Sequence, residues 1–86
     1  MDRDDLKQRL KVMIVEECDK DMEPASIMDD ETLIGGRLEL DSLDALQISM
    51  AIKSTYGVRI EGGLKARAAF QSINSLTDTI LNEKGK

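Results

Sequence analysis

The stretch from Asp41 to Gly57 limits the fold of this 86-residue chain more than any other. It opens on a capping pattern, Asp41 followed three residues later by Asp44. It closes on Gly57, a residue suited to the left-handed turn that ends a helix. The spacing therefore predicts a helix from Ser42 to about Thr55. Apolar residues recur along it in two stripes, Leu43–Leu46–Met50 and Ala45–Ile48–Ile52. Together they cover more than one ordinary core face. Such a helix either runs through the centre of a bundle or keeps one stripe for a partner.

The rest of the chain fits a helical setting. Tyr56 and Phe70 are the only aromatic residues, so the core must be aliphatic, which suits packed helices better than a sheet. A first helix is expected from about Asp4 to Glu17, with Leu6, Leu10, Met13 and Ile14 on its inner face and Lys7, Arg9 and Lys11 on other faces. Cys18 reads as a small buried hydrophobe at the edge of that stripe. Residues 19–40 form a long connection broken at Glu23-Pro24. Ile27, Met28, Leu33, Ile34, Leu38 and Leu40 are its apolar anchors, and Asp29-Asp30-Glu31-Thr32 is expected to start a short helical turn. A connection this long is often functional, and its anchors imply that it lies over the core. After Gly62-Gly63, Leu64–Phe70 reads as a short helix. Ser72 caps a last helix with Ile73, Leu76, Ile80 and Leu81 inward, and Asn82–Lys86 are expected to fray. Val58 and Ile60 alternate around Arg59 but are too few to make a strand. The expected fold is all-α: a single domain over residues 1–86, a small four-helix bundle of three main helices and one short one, with a long first loop.

Composition removes several function classes. Residues 1–52 hold 14 acidic and 6 basic side chains, a balance of −8, and residues 53–86 hold 3 acidic and 6 basic, a balance of +3. No basic stripe with interleaved aromatics appears, so no nucleic-acid partner is expected. The acidic first half suits partners with basic patches. A lone Cys18 forms no internal disulfide, and the absence of His removes Cys/His zinc sites and the common Ser-His and Cys-His dyads. No apolar run approaches a membrane span, and the charged start Met1–Asp5 lacks the apolar region of a signal peptide. A cytoplasmic monomer is expected.

Ser42 is the candidate functional residue. Its hydroxyl opens a helix, where unpartnered N–H groups and the helix dipole favour a phosphate. No base or metal ligand stands beside it in sequence, so it reads as an attachment point and not as a nucleophile. The plainer reading of Asp41-Ser42-Leu43-Asp44 is a helix start. What tips the balance is the arrangement: a serine opening the second helix, after a long anchored loop, in an acidic helical chain of this length.

Over most of its length the sequence resembles the acyl carrier proteins. The family's Asp-Ser-Leu motif falls on Asp41, Ser42 and Leu43, and residues 41–52 are similar to its second helix throughout. The resemblance implies a 4′-phosphopantetheine arm on Ser42, with Asp41 and Leu43 flanking the attachment. A phosphopantetheinyl transferase would install the arm. Acyl-loading, acyl-transferring and condensing enzymes of fatty-acid, polyketide or related specialised biosynthesis would then be its partners. The carrier itself is not an enzyme. Asp44, Leu46, Gln47, Met50, Lys53, Lys65 and Arg67 fall where the family meets its partners, although Leu46 and Met50 read equally well as core. Ile48, Ser49, Ile52 and Phe70 resemble positions lining the family's acyl cavity, and the hydroxyl of Ser49 suggests a short or polar cargo. Housekeeping members carry glutamates where this chain has Gln47, Lys53, Ser54 and Thr55, and an acidic third helix where it has Lys65 and Arg67. The resemblance is therefore to a specialised member, whose partner surface is less basic or acidic opposite these cations. Two alternatives stay open. One is an aminoacyl or peptidyl carrier, suggested by Gly35-Gly36 six residues before Ser42. The other is an unmodified helical adaptor that binds through the second helix.

Overall fold

The computed structural model describes residues 2–36 and 38–84 and is all-helical. Helix α1 spans Arg3–Glu17, α2 Ser42–Tyr56, α3 Leu64–Ala69 and α4 Ile73–Lys84, with a 3-10 turn at Pro24–Ser26. Among the described residues no helix is long and apolar enough to cross a membrane.

Local chemistry sets the ends of each helix. The Asp2 side chain caps α1 by accepting the Asp4 N–H, so this helix starts one residue earlier than its apolar spacing predicts. Asp41 caps α2, and Gly57 ends it at φ 72°, where a side chain would be strained. The Ser72 hydroxyl accepts the Ser75 N–H at 3.1 Å and caps α4. Asn82–Lys84 remain helical and do not fray, because Lys84 donates to the Tyr56 carbonyl at 3.0 Å and ties this end to the end of α2. Gly85 and Lys86, the rest of the segment expected to fray, lie outside the described residues.

Leu6, Leu10 and Ile14 of α1, Ala45, Ile48 and Ile52 of α2, and Ile73, Leu76 and Ile80 of α4 meet around Phe70 in one aliphatic core. Met13 and Leu81 are half-buried at its edge. Helix α1 packs against α2, α4 and the 3-10 turn, while α3 packs on α4. Thr77 is fully buried among these residues, and among the described residues its hydroxyl has no hydrogen-bond partner.

Lys11 departs from the expected pattern. Instead of facing away from the core it is 7% exposed, with its ammonium 2.8 Å from the Asp29 carboxylate. Lys7 reaches the same carboxylate at 3.3 Å. The lysine stem covers apolar surface while the charge is met by the long loop.

That loop is fastened along its length. Ile27, Leu33, Leu38 and Leu40 are buried, but Met28 is exposed and is no anchor. The Asp29 carbonyl accepts the Asn74 N–H at 3.0 Å, and the Leu33 N–H donates to the Gln71 carbonyl at 3.2 Å, so both ends of the segment hold the start of α4. The helical turn expected at Asp29–Thr32 sits instead at Pro24–Ser26, where proline fixes the first helical φ and the Ser26 hydroxyl donates to the Glu23 carbonyl. At 29–32 the chain makes only an isolated turn, in which the Glu31 carboxylate accepts the Met28 N–H.

Candidate functional site

Ser42 stands at the first position of α2, delivered by the end of the fastened loop. Leu40 is buried just before it, and its carbonyl accepts the Gly35 N–H at 3.3 Å. Glu39 takes a left-handed φ of 55°, bending the chain between these anchors. Gly36 is forced by close approach: a Cβ there would lie 2.3 Å from the Thr32 carbonyl oxygen. The backbone ahead of Ser42 is thus held by sterics and hydrogen bonds together.

The capping box leaves the serine free. Asp41 accepts the Asp44 N–H at 3.0 Å, and Asp44 accepts the Asp41 N–H at 3.2 Å. Both carboxylates serve the backbone, so Ser42 is not needed as a cap. It is exposed, and among the described residues its hydroxyl takes no hydrogen bond. An unengaged hydroxyl beside the unpaired N–H groups of a helix start can receive a phosphoryl group without losing an existing bond.

The two apolar stripes of α2 part company. Ala45, Ile48 and Ile52 enter the core, whereas Leu43, Leu46 and Met50 are 74%, 57% and 64% exposed. Leu46 and Met50 are therefore surface residues, aligned with Leu43 on the face that begins at Ser42. Gln47, Lys53, Ser54 and Thr55 are also exposed, Asp44 is half-buried, and on α3 Leu64, Lys65 and Arg67 are exposed. Lys65 pairs with Glu61 at 3.5 Å on the surface.

The four residues expected around an acyl cavity do not share one environment. Ile48, Ile52 and Phe70 are fully buried together, but Ser49 is half-buried and lines an outer groove with Leu46, Met50, Lys53, Arg59, Ile60, Glu61 and Gly62. Its hydroxyl needs no partner in the core because it is not in the core. The groove holds about 270 Å³ and forms where the 58–62 segment runs alongside α2. The place of Arg59 and Glu61 beside α2 escapes a sequence reading, since nothing periodic marks a segment without helix or strand. Its apolar signal is Val58, which is buried, and Ile60, which is half-buried, and two alternating residues are too few to define an element.

Cys18 is half-buried beside Asp44. Burial, and then the Asp44 carboxylate, push its thiol up to about 11, so at neutral pH it stays protonated. It packs against the core as a small hydrophobe, less enclosed than its place on the α1 stripe suggests.

Among the described residues no group of three or more His, Cys, Asp or Glu side chains is placed to hold a metal ion. No protein-family model matches this chain, and no curated protein matches it in sequence.

Proposed function

We propose that this protein is an acyl carrier, modified on Ser42 by 4′-phosphopantetheine and serving partner enzymes without catalysing a reaction of its own. The observation that carries the reading is the free, exposed Ser42 hydroxyl at the first position of a helix capped by other residues. A flanking strip of exposed apolar side chains, Leu43, Leu46 and Met50, supports it as a landing surface for the modifying enzyme and later partners.

The residues present suit the group. In the transfer, the Ser42 oxygen would form a bond to the phosphorus of coenzyme A nearest the pantetheine. The hydroxyl proton would be lost and 3′,5′-ADP would leave. The resulting phosphodiester anion would face the start of α2, where the dipole favours it. Asp41 and Asp44 keep the first turn in shape through the box and offer charge to a basic partner. The group supplies a thiol that holds an acyl chain as a thioester. Cytoplasmic residence and a monomeric state belong to the same reading, as does service in fatty-acid, polyketide or related specialised biosynthesis.

The test is intact mass after incubation with coenzyme A, magnesium and a broad-specificity phosphopantetheinyl transferase. The parent is expected to gain one phosphopantetheine and Ser42→Ala none. Because Asp41 is the cap, Ser42→Ala should change stability by less than about 0.5 kcal/mol, so lost modification cannot be ascribed to unfolding. No gain with several transferases would favour the second reading, an unmodified adaptor using the same Leu43–Leu46–Met50 strip.

A further inference from the structure

A second groove lies on the opposite flank of α2, where that helix packs against α1. The two helices run antiparallel there, with Cys18 beside Asp44 and Arg9 beside Tyr56. Val12, Met13, Ala51 and Tyr56 line the apolar part of the groove, and Glu16 and Glu17 line its end toward the start of α2. It holds about 400 Å³, and Val12 on its wall is 40% exposed. The charges of α1 are unevenly matched. Arg3 pairs with Asp78, Lys7 and Lys11 with Asp29, and Arg9 with Asp5. Glu16 and Glu17 are exposed, and among the described residues neither is in an ion pair, not even with Lys20 close by in the chain. They also stand in the last turn of α1, which holds no basic residue, so the negative end of the helix dipole opposes them. Two unpaired carboxylates thus weaken their own helix at the end of an apolar groove.

We propose that this groove docks a basic amphipathic helix of a partner protein. Apolar residues three and four apart on that helix lie along Val12, Met13, Ala51 and Tyr56, and a lysine or arginine beyond them meets Glu16 and Glu17. Charge complementarity selects this occupant. An acidic or neutral helix leaves both carboxylates unpaired, whereas a cation pairs with them and offsets the dipole that opposes them. The groove is a furrow between two packed helices, and among the described residues no strand borders it, so an added helix suits it and an added strand does not. Tyrosine and methionine are also side chains that interfaces favour. Thr55, on the groove wall, stands about 140° round α2 from Met50. A helix in the groove therefore leaves Ser42 and the Leu43–Leu46–Met50 strip open, and this partner can hold the protein while another works at Ser42. The proposal stands without the carrier reading, because nothing in it requires Ser42 to be modified. Exposed ion pairs are individually weak, so the contact is a transient one.

The test titrates the full chain with a synthetic alanine-rich helical peptide of about 16 residues. It carries leucines three and four apart and two lysines at one end of that face, and a second peptide carries glutamates in place of the lysines. Nuclear magnetic resonance of the isotope-labelled protein reads the backbone amides. Fluorescence of Tyr56, the chain's only tyrosine, reads the groove directly, since the peptides hold no aromatic residue. The lysine peptide is expected to shift the amides of residues 12–17 and 51–56 saturably and to leave those of Leu43 and Leu46 in place. Its affinity should fall about three- to tenfold in E16Q/E17Q and at 1 M salt, and the glutamate peptide should not bind. The same double variant should melt a few degrees above the parent, because it relieves the end of α1, so lost binding is not lost folding. Ser42→Ala should bind as the parent does. Binding at the Leu43–Leu46–Met50 strip, equal affinity in E16Q/E17Q, or no saturable binding overturns the proposal and leaves the carrier reading standing. Movement of the groove amides with protein concentration alone also overturns it, by giving the groove to a second copy of this chain.

Discussion

Lys11 is buried on α1 because Asp29, eighteen residues along, brings it a carboxylate. Hydrogen bonding from Lys11 holds the Asp29 carboxyl below the usual aspartate range, with Lys7 adding to the effect and desolvation opposing it. The unfolded carboxyl titrates near 3.9. The clasp's contribution is thus complete above that value and is lost as pH falls through the lower folded value. Urea denaturation at pH 6 and pH 2 should show this loss. Asp29→Asn should be less stable at pH 6 and lose less on acidification. The Asp29 side chain is 42% exposed, so with solvent screening the acid-dependent difference should be about 1 kcal/mol or less. Lys11→Met tests the other partner. A methionine would fill the same apolar path without a charge to desolvate, so it is expected to cost little or nothing.

Among the elements, α1, α2 and α4 were legible because each carries an apolar period of three to four residues, to which α2 adds a cap and a stop and α4 a cap. Asp41, Asp44 and Gly57 act within a few residues of where they stand, so sequence reading places them well. The long loop follows no such period. Ile27 and Met28 are adjacent and equally apolar, yet one is buried and the other exposed, and only the path of the folded chain decides between them. The Lys11–Asp29 pair and the groove of Arg59 and Glu61 were illegible for the same reason, since each joins segments that sequence spacing does not connect. The place of Ser42 at the start of α2 and the capping box around it were legible, and the exposure of α2 less so, because both of its stripes are apolar. Gly36 tests whether the loop is as tightly set as its contacts imply. Gly36→Ala would drive a methyl into the Thr32 backbone, which has no flexible end to yield. A loss of about 1–3 kcal/mol is expected in thermal or urea denaturation.

On the scale of the whole molecule, the helices enclose a small aliphatic core and leave one side of α2 uncovered. Packing against α1 buries the Ala45–Ile48–Ile52 stripe, while the Leu43–Leu46–Met50 stripe stays outside although it is just as apolar. Stability rests on the buried face; in the proposed carrier recognition rests on the exposed one, so the two should separate by mutation. Ile52 is fully buried, so Ile52→Ala removes core contacts and leaves a cavity, at an expected cost of about 2–5 kcal/mol. Met50, two residues earlier, is mostly exposed, so Met50→Ala should alter stability by less than about 0.5 kcal/mol. If the outer stripe is the landing surface for the enzyme that modifies Ser42, Met50→Ala should slow the rate of mass gain while the melting temperature stays unchanged. Ile52→Ala, assayed well below its own melting point, should be modified at nearly the parent rate. Equal slowing in both variants, or in neither, would show that the exposed stripe is not what the transferase reads.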